Sequence, residues 1–283
     1  MKIIEAIEKV KNYHKGIFEG KKIDDQTTRD KILYGDANQE CTGIVTTCWA
    51  SVDVIRKAHA QGANLIICHE ALFWNHGDHT DWLIESENTT FLAKKKLLDE
   101  TGIVVWRDHD YIHSGIPKGD GTYIDGIFYG LSEKLGWSDY IIGDKENPLF
   151  FDLPETTAKD LAEDIINKLN LNGIKILGDT STKVKKVKIP FHVLGDARDS
   201  IEEANKKDID CFLTLELVDF TLAEYIRDSS MLNMNKVAIN MGHFNLEEPG
   251  MEYMIHYLPD ALNEDIPCTY IQSGDMYSYV TKD

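Results

Sequence analysis

Apolar residues recur along the chain in two rhythms that alternate with each other. Ile3, Ile4, Ile7, Val10 and Ile17 recur at helical spacing and predict an opening amphipathic helix. Gly43 to Thr47 reads as a strand. Ser51 then caps a helix that runs to Gln61, with Gly62 as its terminal glycine. The run from Leu65 to Cys68 is apolar at every position, as in a parallel-sheet strand covered on both faces. A helix from Thr89 or Thr90 to Gly102 and a strand from Ile103 to Trp106 complete a strand–helix–strand–helix–strand run, the mark of an α/β layer architecture.

The alternation continues with more polar strands. Residues 148–153 read as extended, 156–169 as helical and 174–177 as extended. Residues 184–193 alternate as a half-exposed strand in which Pro190 points to an edge or a bulge. Helices over 200–207 and 219–228 flank a strand at Cys211 to Thr214, and Lys236 to Met241 is a further apolar strand. Pro disfavours helical backbone in the residue before it, so Pro249 is expected to open the next helix. That places His243 and Glu247 on the loop ahead of it. Residues 269–272 close the chain as a short strand. The expected architecture is α/β: two lobes with mixed sheets flanked by helices, a metal site lying in the cleft between them. Residues 1–125 form the first lobe, rejoined by 237–283, and residues 126–236 form the second.

Composition removes several classes of function. With 42% hydrophobic and 28% charged residues the chain is an ordinary globular one. No apolar run approaches the roughly 20 residues of a spanning helix, so no membrane partner is expected. The charged, amphipathic start argues against a secretory signal, and the expected compartment is the cytoplasm. A net charge of -18 repels phosphate backbones, so nucleic acid is not an expected partner. The five cysteines are scattered without CxxC spacing and read as small buried hydrophobes, Cys68 included. GxxxxGK[ST], strand-linked GxGxxG, GxSxG and HExxH patterns are all missing, which weighs against a nucleotide-driven enzyme, a dehydrogenase, a serine hydrolase and a zincin.

Candidate chemistry gathers at strand ends, where open α/β sheets bind ligands. His69 and Glu70 follow one apolar strand, His109 and His113 the next, and His243 a third. Imidazole suits zinc and iron, carboxylate oxygen suits manganese, and a mixed set of three imidazoles and two carboxylates fits zinc, iron(II) or manganese. Five ligands exceed one tetrahedral ion and suit two, with water completing each shell. A carboxylate such as Glu247 can join both ions. His76 and His79 are assigned to a mobile loop over the site, and His14, His59, His192 and His256 to structural roles. Glu216 reads either as a second-layer support for a ligand histidine or as a surface residue.

Several stretches resemble the Nif-three family of dinuclear-metal proteins, whose members are often labelled GTP cyclohydrolase I type 2 homologues. The apolar strand ending in His69-Glu70, followed by Phe73-Trp74, is similar to the family's strand ending in His-His and an aromatic. Gly242-His243 with Glu247 and Gly250 resembles its Gly-His-x-x-x-Glu pattern, the most specific of these. Residues 211–216 resemble its Thr-Gly-Glu strand end, and Gly195 to Ala204 its glycine turn and helix.

Two departures stand out. Glu70 replaces the second histidine of the pair, and His113 stands where a ligand aspartate is expected, so an imidazole and a carboxylate have changed places. The rival assignment makes Asp108 or Asp110 the carboxylate ligand. The segment Thr28 to Asp36 departs from the family's Asp-Asn-x-Gly-Leu. The resemblance implies His69, Glu70, His113, His243 and Glu247 as ligands to two divalent ions per chain (zinc, iron or manganese). It further implies a metal-dependent hydrolase that uses a hydroxide bridging the ions on a small-molecule substrate, with His109 and Glu247 as candidate catalytic groups. The GTP label extends to the family's possible substrate, although no residue here selects guanine. It also implies a ring-shaped homo-oligomer, a hexamer. The alternative is a non-enzymatic regulatory or metal-chaperone protein.

Overall fold

Five short strands form the first sheet of the computed structural model, which describes residues 1–18, 20–190, 192–194 and 196–282. Their order is Cys268–Tyr270, Ile44–Thr47, Leu65–Cys68, Val104–Arg107 and Ile32–Tyr34. The first four run parallel and the last pairs antiparallel. Side chains alternate between faces, and both faces are covered. Val45, Ile66 and Val105 pack with Val54, Ile55 and Ala58 of one helix and with Phe91 and Leu98 of another. Those helices are Val52–Ala60, capped by the Ser51 hydroxyl accepting the Val54 amide, and Thr89–Thr101, which Gly102 ends at φ 65°. This sheet belongs to a unit made of residues 1–130 and 250–273.

The second sheet belongs to residues 131–249 and 274–283. Its order is Lys175–Leu177, Val237–Asn240, Cys211–Thr214, Lys183–Lys188 and Phe150–Thr157. The middle three strands run parallel and the outer two antiparallel. Phe212 and Ala238 pack against Ala204, Leu222 and Ile226 of the covering helices. The lysine-rich strand is therefore internal. Its register shifts between Val184 and Lys186, and it ends before Pro190, which has no N–H to continue the ladder. The expected glycine turn at Gly195 lies outside the described residues, and its helix is Arg198–Lys206.

Two local expectations are overturned. The opening helix is Ile3–Tyr13, so Ile17 lies beyond it, exposed in a two-residue strand with Phe18. The last long helix is His243–Leu262, with Pro249 inside it rather than at its start. Pro249 costs that helix one backbone bond, and tertiary packing offsets the loss. Met251, Met254, Leu258 and Leu262 are fully buried. Gly250 presses so closely that a Cβ there would stand 2.4 Å from the Ile127 Cα. Among the described residues no helix is long and apolar enough to cross a membrane.

Candidate metal centre

In the first unit the chemistry sits just past the carboxyl ends of two adjacent parallel strands. Leu65–Cys68 delivers His69 and Glu70, and Val104–Arg107 delivers Asp108 and His109. A single helical turn, Asp110–Ser114, then carries His113 back toward them. Ligand atoms of His69, His109 and His113 all lie within 4.8 Å of one another. The His69 and His109 rings stack with centroids 4.6 Å apart, and His113 meets both edge-on.

Each of these imidazoles is held by Nδ1 against an oxygen. His69 Nδ1 lies 3.1 Å from the Asp108 carbonyl, His109 Nδ1 2.9 Å from the Asp110 carboxylate, and His113 Nδ1 2.8 Å from the Asp125 carboxylate. Carbonyl and carboxylate oxygens only accept, so Nδ1 donates and the lone pair of the neutral ring is on Nε2. This is how metal-ligating histidines are commonly oriented. Burial, aided by the neighbouring imidazoles of His109 and His113, holds His69 well below the usual histidine range. Burial also lowers His109, against the pull of Asp110. Both rings therefore stay neutral, as a metal ligand must.

The rival carboxylates have hydrogen-bond partners of their own. Asp110 accepts from Thr28 Oγ1 at 2.8 Å and the Arg29 amide at 3.1 Å as well as from His109. Burial opposes its charge, yet these bonds hold it well below the carboxylate range. Asp108 is fully buried, takes the Ile112 amide, and faces His14 at 3.8 Å. Burial and then the nearby Asp30 push its carboxyl up. Cys68, raised to about 12 by burial, is a thiol rather than a thiolate ligand.

Sequence reasoning missed three supports. Asp30, in the segment that departs from the family pattern, accepts the amides of His109, Asp110 and Tyr111 and so fixes the turn that carries His109 and His113. Asp125 holds His113 with one oxygen and with the other caps the helix Gly126–Leu135 through the Ile127 and Phe128 amides. A carboxylate one residue ahead of an apolar run was the available signal for that cap. Arg107 is fully buried and donates to the His69 and His76 carbonyls, Asp78 and Glu70. It ties His69, Glu70, His76 and Asp78 of the segment read as a loop to the strand end. Arg107 also donates to His76 Nδ1 at 3.1 Å, so the lone pair of that ring is already engaged.

The second unit has its own set. Past the ends of its three parallel strands stand His192, Glu216 and His243, with ligand atoms within 4.8 Å of one another. Glu216 bonds the Nδ1 of His243 and, at 3.1 Å, the Nδ1 of His192. It thus supports the His243 ring, the residue that one sequence reading takes as a ligand. His243 and Glu247 share the first turns of the long helix instead of a loop, with Nε2 3.1 Å from a Glu247 oxygen. Two ligand atoms about 2 Å from one tetrahedral ion stand roughly 3.3 Å apart, so this spacing suits a common ion. Burial works against a charged His243, but hydrogen bonds to Glu216 and Glu247 outweigh it and raise the ring to about 10. Burial opposes the charge of Glu216 too, and its two histidines still hold it at about 2. His192, read from the sequence as structural, stands with this group.

A family model described as Duf34/NIF3 (NGG1p interacting factor 3) matches residues 21–275. A Clostridium acetobutylicum protein named GTP cyclohydrolase 1 type 2 homolog is 23% identical over 235 residues, which span 82% of each chain. A Clostridium perfringens protein of the same name is 23% identical over 244 residues, 83% of this chain and 84% of that one. Among solved structures, Staphylococcus aureus protein SA1388 matches 99% of both chains with TM-score 0.67 at 16% identity. A Bacillus cereus protein related to NIF3 matches 99% of both with TM-score 0.67 at 15% identity. At these identities the structural likeness establishes the fold.

Proposed function

The chain belongs to the Duf34/NIF3 family, and on that premise we propose that it is a metal-dependent hydrolase holding two divalent ions through His69, Glu70, His113, His243 and Glu247. The observation that supports the reading is the shared orientation of His69, His113 and His243, each with Nδ1 held by an oxygen, the arrangement in which Nε2 would ligate a metal once deprotonated. Bound ions of this kind supply an activated water and polarise a substrate ester or amide oxygen.

The chain's own residues do the remaining work. Arg107 pairs with Glu70 at 3.3 Å and holds that carboxylate in place. Glu247, buried at 3% exposure, is fixed by the helix that carries His243. His109, backed by Asp110, moves the proton between water and leaving group. The name of the clostridial relatives offers GTP as one substrate to test, beside phosphoesters and amides. We also propose a ring-shaped homohexamer, supported by Phe220, Met231, Leu232 and Met234, large apolar side chains at least 61% exposed on the second unit. Light scattering that gives the mass of a 32.2 kDa monomer overturns that assembly.

Metal content per chain, measured by mass spectrometry, tests the ligand set. About two equivalents in the wild type, falling in both Glu247→Gln and His113→Ala, are expected for a two-ion centre. Content that neither substitution changes removes the assignment. A protein that carries two ions and hydrolyses no phosphoester, amide or cyclic purine passes the lead to the non-enzymatic metal-chaperone reading.

A further inference from the structure

His243 presents two different edges to two different partners. Its Nε2 faces the buried Glu247, while its Nδ1 faces Glu216. Beyond Glu216 stands His192, whose side chain is 51% exposed and whose Nδ1 lies 3.1 and 3.3 Å from the two Glu216 oxygens. The His192 and His243 rings sit 5.1 Å apart, tilted by only 30°. One carboxylate thus gathers two nearly parallel imidazoles, and the three groups offer ligand atoms within 4.8 Å of one another.

From this we infer that His192, Glu216 and the Nδ1 edge of His243 form an outer, solvent-facing site that captures a divalent ion for the inner pair, His243 Nε2 and Glu247. The inference rests on the reading that His243 and Glu247 are metal ligands, and it adds a role for His192 that no sequence motif assigns. Two imidazoles and one carboxylate suit zinc, iron(II), cobalt(II) or manganese. An ion among them replaces the protons that now join both Nδ1 atoms to Glu216. A neutral imidazole has one lone pair in its plane, so His243 ligates on one edge at a time. Occupation of the outer site through Nδ1 and of the inner site through Nε2 therefore alternate. The exposed His192 and half-buried Glu216 meet the ion first; it then leaves Nδ1 for Nε2 and the Glu247 carboxylate while the ring proton, given up to water at Nε2, is regained at Nδ1 beside Glu216. His192 is present for capture and has no place in the final ligand set.

The test uses cobalt(II) and zinc(II), with uptake by the full metal-free chain followed against a chromophoric chelator. His192→Gln is the informative variant, because a glutamine amide still donates to Glu216 but is a poor ligand. In the wild-type background, His192→Gln is expected to slow uptake while reaching the same final content. In the Glu247→Gln background one weakly held equivalent is expected to survive, and adding His192→Gln should weaken it by about tenfold or more, the scale of loss seen when metal-site groups are altered. Circular dichroism checks that the exposed substitution leaves the fold intact. If the wild type loads two ions and His192→Gln changes neither rate nor residual binding, His192 only positions Glu216 and the capture site is wrong. If the wild type loads no ion, the metal-centre reading fails first and this inference goes with it.

Discussion

The two sheets solve one problem in different ways. Each sends histidine and carboxylate side chains past the carboxyl ends of its parallel strands. In the first unit these groups stand on a buried scaffold: His69 and Asp108 are fully buried, and Arg107, Asp30 and Asp125 fix the backbone and rings around them. In the second, a single half-buried carboxylate, Glu216, holds one imidazole that is 26% exposed and another that is 51% exposed. A buried, hydrogen-bonded frame fixes side-chain geometry in advance, whereas an exposed one is open to water and protons. One edge is buried and braced, the other half-open to solvent.

The sharpest way to break this contrast is Arg107→Met. It leaves the Glu70 carboxylate, the Asp78 carboxylate and two carbonyls without their buried cation. A loss of about 3–5 kcal/mol is expected in urea unfolding. His192→Gln on the other edge should change stability by no more than about 0.5 kcal/mol. Equal losses would erase the distinction.

Next comes Asp125→Asn. The amide oxygen still caps the helix, but an NH2 group now faces His113 Nδ1 and favours the ring form with its proton on Nε2. Metal affinity should fall about 10–100-fold in a chelator competition. Glu216→Gln applies the same inversion to His243, where water can substitute, and the loss should be smaller.

The effect smallest per step, read one pH unit at a time, separates the units by acid. Burial pulls His14, in the first unit, down to about 3. A histidine depressed when folded contributes stability that is present above its unfolded pKa, near 6.5, and is lost as pH falls toward 3. Below pH 6.5 stability should therefore drop by up to about 1.4 kcal/mol per pH unit from this group. His14→Gln should flatten that slope in metal-free protein, as read by urea unfolding at stepped pH. An unchanged slope would assign the acid sensitivity elsewhere.

What could be read from the chain were features decided locally. Apolar runs such as Leu65–Cys68, the Ser51 cap and the Gly102 terminus are each settled within a few residues. So was the placing of His69, Glu70, His109 and His243 just past strand ends. Hidden features depended on distant partners. The antiparallel strand Ile32–Tyr34 is three residues long and defined by its pairing with Val104–Arg107. The one-turn helix under His113 is shorter than any hydrophobic period, and it forms around Asp30, some eighty residues earlier in the chain. Pro249 looked like a helix start because local sterics favour that, but the burial of the surrounding helix decides otherwise. His192 lies past Pro190 on an irregular segment, so no periodicity draws attention to it.

Asp125 bonds with both of its oxygens, and on the proposed ligand set this would link metal loading to the backbone. A pull exerted by an ion on His113 would be transmitted to the carboxylate that also secures the amides of Ile127 and Phe128. The opening turn of that helix becomes a gauge of occupancy: hydrogen exchange at those two amides should slow as ions enter, readable without knowing any substrate.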